Sequence, residues 1–220
     1  LFRSRSIIEP VTSSGFNGLF LVATNPVDIM TRITCTLSGF NPRRVLGTGT
    51  ALDTARLRYL LGDYLKADPR NVHAYVMGEH GDSEIVAWSS TNVSGIPVND
   101  FCELRGHFNH EEAMHRIADD VKNSAYDIIE KKGATYYGIA MSVKRICECI
   151  MRDEKSILPI SSMMHGEYGI SDICLSMPTV VGREGVETRV PIQLNEQEES
   201  ALSASAEQLS KVAAQLDLSL

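Results

Sequence analysis

The 220-residue sequence predicts an α/β segment of parallel sheet over residues 1–47, followed by a mixed α+β domain over residues 48–220. Two patterns predict this division. Before residue 48, short apolar runs alternate with helical segments, as in parallel β-α-β units. After it, long helices precede three strand-like runs separated by glycine-containing turns, which is typical of antiparallel sheets.

Local signals predict the elements of the first segment. Residues 5–14 are expected to be helical, with Pro10 as an irregularity. The apolar run 18–23 has strand length and is bounded by turn residues, so it is predicted to be a fully buried parallel strand. A helix over 26–37 should end near Gly39, and a short strand follows at Val45-Leu46.

A glycine-rich turn at residues 47–49 opens the second domain and precedes an apolar helix. Strands are predicted at 71–77 and 84–89, on either side of another glycine turn. Two long helices should follow, the first ending at Gly133 and the second starting at Thr135. Side-chain caps are predicted from the pairs Asn109 with Glu112 and Asn195 with Glu198, and antiparallel strands over 156–163, 172–181 and 186–190.

Composition argues against several classes of function. With 21 basic and 28 acidic residues, a net charge of −7 and no basic stripe, the chain is not expected to bind nucleic acid. No apolar run approaches membrane-spanning length and no signal peptide is recognisable, so no membrane partner is expected. The five cysteines lie in apolar stretches, which predicts reduced thiols and a cytoplasmic location. The histidines lack metal-ligand spacing, so no metal site is expected.

Three polar clusters are candidates for a catalytic site. Residues 78–82 place His80 in a turn between glycines and carboxylates, where an imidazole can give and take a proton. Asn25 follows the predicted strand 18–23, at the carboxyl end where α/β sheets bind ligands. Asp53 and Arg56 share one face of the first turn of a helix. Taken singly, these clusters are also compatible with a solvated histidine and a surface ion pair.

Taken together, residues 24–28, 52–56 and 78–82 closely resemble the motifs of the L-lactate and malate dehydrogenase family. Residues 131–138 resemble the lactate branch more than the malate branch. The resemblance covers essentially the whole chain. It implies that the first segment is a remnant of a Rossmann parallel sheet and that the second domain is the family's substrate domain.

The resemblance implies an NAD-dependent oxidoreductase that converts pyruvate and NADH into L-lactate, in glycolysis and pyruvate fermentation. His80 would be the acid/base, and Asp53 would accept a hydrogen bond from its other ring nitrogen. Arg56 would hold the substrate carboxylate bidentately. Asn25 and Thr135 would contact the substrate, although Thr135 could equally be an ordinary helix N-cap.

The implied cofactor is NAD, with contacts from Ala23, Thr24, Asn25 and Thr48. The family's GxGxxG turn, ribose-binding carboxylate and mobile substrate loop do not occur in this sequence. The chain is therefore expected to be a C-terminal fragment that is inactive by itself. A malate or other L-2-hydroxyacid dehydrogenase, and a non-catalytic assembly partner, remain the alternatives.

The family also implies regulation and assembly. In bacterial members activated by fructose 1,6-bisphosphate, residues matching Arg58 and His73 bind the sugar phosphates across a subunit interface. The full-length protein is accordingly expected to be a homotetramer. The alternative is that Arg58 is an exposed helix residue and His73 a polar residue at a strand end.

Overall fold

The structure is a computed structural model that describes residues 2–215. Its helices are α1 (Phe2–Ser13), α2 (Val27–Ser38), α3 (Ala51–Leu65), α4 (Val98–Leu104), α5 (His110–Lys132), α6 (Tyr137–Arg152) and α7 (Glu196–Ala214). Its strands are β1 (Phe20–Val22), β2 (Val45–Gly47), β3 (Val72–His73), β4 (Val76–Met77), β5 (Ile85–Val86), β6 (Asn92–Val93), β7 (Ile96–Pro97), β8 (Ser156–His165), β9 (Ser171–Gly182) and β10 (Gly185–Arg189).

One mixed sheet in the order β1-β2-β8-β9-β10 organises the molecule. β1 and β2 are parallel, with Phe20 opposite Val45. β2 joins β8 through the antiparallel pair Gly47 and Ser161, and β8, β9 and β10 are antiparallel, as the sequence predicts for these three strands. The sheet therefore joins strands from both sides of the predicted boundary at residue 48.

The strand predicted at 18–23 is parallel to its neighbour, but the expectation of full burial is wrong. All three residues of β1 are half-buried. β1 lies at the edge of the sheet, where only β2 pairs with it, so one side of the strand has no neighbouring strand to cover it. The second strand, β2, is fully buried.

The single strand predicted at 71–77 is also wrong. Two short strands occupy this region: β3 pairs with β6, and β4 pairs with β5 in a separate ladder. Between them, the carbonyl of Ala74 accepts a hydrogen bond from Arg58 Nε, 3.0 Å away. Of the strand predicted at 84–89, only β5 forms, and a 3₁₀ turn follows at Trp88–Ser90.

Apolar residues on facing helices and strands form the core. The largest cluster lies between α2, β9 and α7 and includes Ile33, Leu175 and Leu202. A second cluster lies between α3 and α5 and includes Leu61 and Val121. Met77 of β4 belongs to the first cluster and Val76 to the second, so both clusters pack against the strand that leads into the turn at residues 78–82.

Helix ends confirm most of the predicted caps. Gly39 and Gly133 adopt left-handed conformations after α2 and α5, which glycine does at little steric cost. Asn195 and Glu198 form the predicted capping box of α7. The predicted side-chain cap of α5 is wrong: Asn109 has φ −105° and ψ 51° and makes no capping bond, since capping requires an extended backbone.

Candidate active site

A cavity of about 430 Å³ lies where the end of β1, the start of α3, the His80 turn and α5 meet. Its α5 side combines polar and apolar side chains, and the opposite side is mainly polar. The residues around it are Asn25, Pro26, Asp53, His80, Gly81, Asp82, Glu84, Lys122, Ala125, Tyr126 and Ile129. Three residues predicted from separate motifs, Asn25, Asp53 and His80, are thus brought to one cavity.

His80 and Asp53 form the central pair of the cavity. Nδ1 of His80 lies 2.7 Å from Oδ2 of Asp53, so the carboxylate accepts a hydrogen bond from the Nδ1–H, and Nε2 remains available to a ligand. Burial lowers the pKa of His80, but the hydrogen bond and negative charge of Asp53 outweigh it, and the pKa is raised overall. The pair therefore favours the protonated imidazole.

The start of α3 positions Asp53. Thr50 is the N-cap, which makes Asp53 the third helical residue, where the helix dipole favours a negative charge. Thr50 Oγ1 donates to the carbonyl of Val76 (2.6 Å), and the Val76 N–H donates to Thr54 Oγ1 (2.9 Å). These two bonds fix α3 to β4, the strand that leads into the His80 turn.

The His80 turn is held from several sides. Asp28 at the start of α2 accepts the backbone N–H of His80 at 2.8 Å. Gly78, with φ 88°, exchanges two backbone hydrogen bonds with Ser176 of β9. The N–H of Glu79 donates to Ser205 Oγ on α7 at 2.9 Å. The imidazole is therefore placed by elements that are distant in sequence.

Asp28, which accepts the hydrogen bond from the His80 N–H, is buried and only 1% exposed. Burial raises its pKa to about 6, although hydrogen bonds from a serine hydroxyl and from the His80 N–H oppose that effect. Asp28 belongs to the quoted motif 24–28, but the sequence did not single it out. Asp28 and His80 are 52 positions apart, so no local pattern in the sequence indicated their contact.

Glu84 is a further residue of the cavity that sequence reasoning missed. Burial, followed by the nearby charge of Asp53, raises the pKa of Glu84 to about 8, so its carboxyl is mostly neutral at neutral pH. Oxygen or nitrogen atoms of Asp53, His80 and Glu84 all lie within 4.8 Å of one another. Histidine spacing alone did not predict this grouping, because Asp53 and His80 come from two separate motifs and Glu84 lies outside both.

Arg56 contacts Asp53, the partner of His80. Its Nη1 donates to Oδ1 of Asp53 at 3.3 Å, which confirms the predicted proximity of the two residues on one helix face. The two side chains are 17% and 4% exposed, so this is not the solvated surface pair. The Arg56 side chain lines a neighbouring cavity, with Tyr59 and Asp127, rather than the cavity around His80.

The predicted cofactor residues lie at the carboxyl ends of β1 and β2. Ala23, Thr24 and Asn25 are exposed, whereas Thr48 is buried and donates its N–H to the carbonyl of Val22. Thr135 is half-buried and does not line the His80 cavity. It is not the N-cap of α6, since that position belongs to Tyr136.

The α5 helix closes the other side of the His80 turn. Lys122 Nζ donates to the backbone carbonyl of Asp82, and Tyr126 OH donates to Asp82 Oδ1 at 3.1 Å. Both side chains also line the cavity. A movement of α5 would therefore change the shape of the site.

Arg58 and His73 lie close to each other, away from this cavity. Arg58 Nε bonds the carbonyl of Ala74, the residue after His73, and the guanidinium lies 5.0 Å from the ring centre of Tyr75. Arg58 is half-buried, so its description as an exposed helix residue is wrong, while His73 is exposed on β3.

Family models match almost the whole chain. Residues 50–217 match the lactate/malate dehydrogenase, alpha/beta C-terminal domain. The chain belongs to the lactate/malate dehydrogenase family. Residues 4–47 match the NAD binding domain of the same family.

Curated family members resemble the chain along nearly its full length. It is 50% identical over 210 residues to the L-lactate dehydrogenase of Bacillus velezensis, and the matched region covers 96% of this chain and 66% of that protein. It is also 50% identical over 205 residues to L-lactate dehydrogenase 1 of Clostridium acetobutylicum, covering 93% of this chain and 66% of that protein. The chain thus spans slightly less than two thirds of the length of these relatives.

Solved structures of the family confirm the fold. The minor L-lactate dehydrogenase from Enterococcus mundtii, in its ligands-bound form, superposes with a TM-score of 0.95 at 44% identity. The match covers 99% of this chain and 69% of that one. The predicted fold, part of a Rossmann sheet followed by the family's mixed α+β domain, is therefore confirmed.

Proposed function

We propose that this protein is an NAD-dependent L-lactate dehydrogenase, in which His80 protonates the carbonyl oxygen of pyruvate while NADH supplies a hydride. The observation that carries the proposal is the 2.7 Å contact between His80 Nδ1 and a buried Asp53 at the edge of a cavity. The alignment with proteins named L-lactate dehydrogenase supports pyruvate as the substrate.

The nicotinamide end of NAD is proposed to bind at the carboxyl ends of the parallel strands β1 and β2. Ala23, Thr24 and Asn25 are exposed there, and Asn25 lines the cavity that contains His80. When bound, NADH supplies the hydride, and the protein supplies orientation and electrostatics. Asn25 would hold the substrate oxygen or the nicotinamide in register through its side-chain amide.

The proton is handled by His80 and Asp53. Asp53 keeps Nδ1 protonated, so the proton to be transferred is carried by Nε2. Because the pKa of His80 is raised, the imidazolium that pyruvate reduction requires is populated to higher pH. In the reverse direction, the neutral imidazole would accept the hydroxyl proton of lactate.

Arg56 is proposed to bind the substrate carboxylate. Its bond to Asp53 uses one nitrogen, Nη1, and a planar guanidinium can offer further nitrogens to a carboxylate. Binding would require the Arg56 side chain to turn from its present cavity towards that of His80. Thr135, which lies just before α6, is proposed to complete the substrate pocket.

The test measures pyruvate-dependent NADH oxidation in an extended protein, which is this chain preceded by the N-terminal segment of the Bacillus velezensis relative. Replacement of His80→Asn should lower kcat about 10²- to 10⁴-fold, since proton transfer is lost. Replacement of Arg56→Lys should raise KM about 10- to 100-fold, since an ammonium group cannot form the two parallel hydrogen bonds that a planar guanidinium forms with a carboxylate.

Matched controls separate these effects from general damage. His115→Asn changes an exposed histidine of α5, and Arg70→Lys changes an exposed arginine that is also bonded to an aspartate. Both controls should leave kcat and KM within about twofold of the unmutated protein. If His80→Asn and Arg56→Lys behaved like their controls, the assignment of the active site would be wrong.

We further propose that Arg58 and His73 bind fructose 1,6-bisphosphate in a homotetramer. The hydrogen bond from Arg58 Nε to the carbonyl of Ala74 supports this, because it holds Arg58 against the residue that follows His73. Exposed Tyr59, Tyr137 and Met141 on α3 and α6 support burial of these surfaces in an assembly. Light scattering of the extended protein, with and without the bisphosphate, tests both the tetramer and its response to the bisphosphate. A monomer under all conditions would contradict both proposals.

A cytoplasmic location is proposed as well. All five cysteines carry free thiols in the structure, which fits a reducing compartment. No helix among residues 2–215 has the length and apolar character needed to cross a membrane. Fractionation of cells that produce the protein tests the location, and recovery outside the cytoplasm would contradict it.

A further inference from the structure

The C-terminal helix α7 reaches the His80 turn through a single buried hydroxyl. Ser205 is 1% exposed, and its Oγ accepts the N–H of Glu79 at 2.9 Å. The same Oγ lies 2.9 Å from Oγ of Ser83, on the other side of His80. One side chain of α7 therefore contacts the residue before His80 and the residue three positions after it.

These contacts form a closed ring of three hydrogen bonds. The hydroxyl of Ser83 donates to Oε2 of Glu79, so the proton between the two serines comes from Ser205. Ser205 thus donates to Ser83, Ser83 donates to Glu79, and the Glu79 N–H donates back to Ser205. Each of the two hydroxyls donates one bond and accepts one, so the ring has a single consistent direction.

The turn needs support from outside because of its glycines. Gly78 and Gly81 lie within two positions of His80, and glycine allows more backbone conformations than other residues do. Inside the turn, the N–H of Glu84 donates to the carbonyl of Gly81 at 3.2 Å. Gly78 also lets α7 come close, since a Cβ at this position would lie 3.0 Å from Oγ of Ser205. The direction of the imidazole therefore depends on bonds that other elements make to the turn.

A second pair of contacts fixes α7 along the same segment of chain. Oε1 of Glu198 accepts the N–H of Ser89 at 3.0 Å, and Nδ2 of Asn195 donates to the hydroxyl of Ser89 at 2.9 Å. Glu198 and Ser205 are two helical turns apart, so they lie on one face of α7, separated by about 10 Å along its axis. α7 therefore contacts the chain both before and after β5.

We propose, on the basis of the acid/base role proposed for His80, that Ser205 is a positioning residue: the ring that it forms with Ser83 and Glu79 holds the imidazole against Asp53. Ser205 does not line the His80 cavity, so it acts through the turn and not through contact with a substrate. Loss of the ring leaves every residue of the proposed chemistry in place but loosens the contact between His80 Nδ1 and Asp53 Oδ2.

The first experiment compares Ser205→Ala with Ser203→Ala in the 220-residue chain by proton NMR. Ser203 is the matched control, an exposed serine two positions away on α7. The Cε1–H signal of His80 is the one that is missing in His80→Asn, and its titration gives the pKa of the imidazole. Because the hydrogen bond and charge of Asp53 raise this pKa, it should be lower in Ser205→Ala than in the control. Equal pKa values in the two variants would overturn the proposal.

Neither variant alters a charge or a titratable group near His80. These groups are Asp28 of α2, Asp53 and Arg56 of α3, Glu79, Asp82 and Glu84 around the turn, and Lys122 and Tyr126 of α5. A change in the pKa of His80 therefore reports the position of its ring. A role of Ser205 in packing alone would lower the melting temperature without moving this pKa.

The second experiment measures pyruvate reduction in the extended protein. Ser205→Ala and Ser83→Ala should each lower kcat about tenfold, which is less than the loss expected for His80→Asn, because the imidazole is displaced and not removed. Each change breaks two bonds of the same ring, so the double variant should lose less than the product of the two single losses. Losses that multiply, or rates equal to that of Ser203→Ala, would overturn the proposal.

Two further comparisons separate the possible causes of failure. Melting curves identify variants that do not fold, and Ser83→Ala, at a half-buried residue outside α7, decides the question if Ser205→Ala does not fold. If His80→Asn kept full activity in the extended protein, the proposed function would be wrong. The NMR titration would still show whether Ser205 positions the imidazole, since it needs no turnover.

Discussion

Replacement of Glu84 by glutamine should make the stability of the protein less dependent on pH. In the folded chain, burial and the charge of Asp53 raise the pKa of the Glu84 carboxyl from 4.5 to about 8. In the unfolded chain it returns to its ordinary value. Between pH 4.5 and about pH 8, Glu84 therefore holds a proton in the folded state that it has released in the unfolded state.

The sign and size of the effect follow from that difference. Below pH 4.5, Glu84 is protonated in both states and its contribution to stability is fully present; the contribution is lost as pH rises towards 8. At ~1.4 kcal/mol for each pKa unit, the complete loss would be about 5 kcal/mol. Because the carboxyl lines a cavity that water can enter, we expect the free energy of unfolding to lose a smaller amount, on the order of 2 kcal/mol.

Urea unfolding followed by far-UV circular dichroism measures this loss. Between ~pH 5 and ~pH 8.5, the free energy of unfolding of the unmutated chain should fall by about 2 kcal/mol more than that of Glu84→Gln. Glu112→Gln, at an exposed position of α5, is the control and should follow the unmutated chain. Parallel pH curves for the unmutated chain and Glu84→Gln would show that the carboxyl is not protonated in the folded state.

Other perturbations test the support of the site. In the extended protein, Asp53→Asn removes the interaction that raises the pKa of His80, so the loss of pyruvate reduction with rising pH should move to lower pH; an unmoved kcat/KM profile would contradict the pairing. Ser205→Ala removes the acceptor of the Glu79 N–H and should lower the free energy of unfolding by about 1–2 kcal/mol, measured in urea; no change would mean that water replaces the hydroxyl. The 220-residue chain by itself should not oxidise NADH with pyruvate; micromolar NADH binding by calorimetry with normal turnover would refute this.

Short-range signals in the sequence determined much of the fold. The caps at Gly39 and Asn195 depend on residues within four positions of each other, so they could be predicted without knowledge of the tertiary structure. Strand-like runs separated by glycine-containing turns likewise predicted β8, β9 and β10. Predictions failed where long-range contacts compete with local preference, as at Ala74, whose carbonyl is taken by Arg58 and where the predicted strand divides.

The candidate site shows the same division. His80, Asp53 and Asn25 could be chosen from the sequence because each has the side chain that the proposed chemistry needs. His80 and Asn25 are next to a glycine or a proline, and Asp53 follows the glycine-rich turn 47–49.

What only the tertiary structure decided is the environment that makes them work together. Thr50 and Thr54 fix α3 against β4, and Asp28 reaches the His80 N–H from 52 positions earlier in the chain. The hydrogen bond and charge of Asp53 raise the pKa of His80 against the effect of burial, whereas burial and the same charge together raise the pKa of Glu84. Hydrogen-bond distances and burial depend on how distant segments pack, and neither motif spacing nor residue type contains that information.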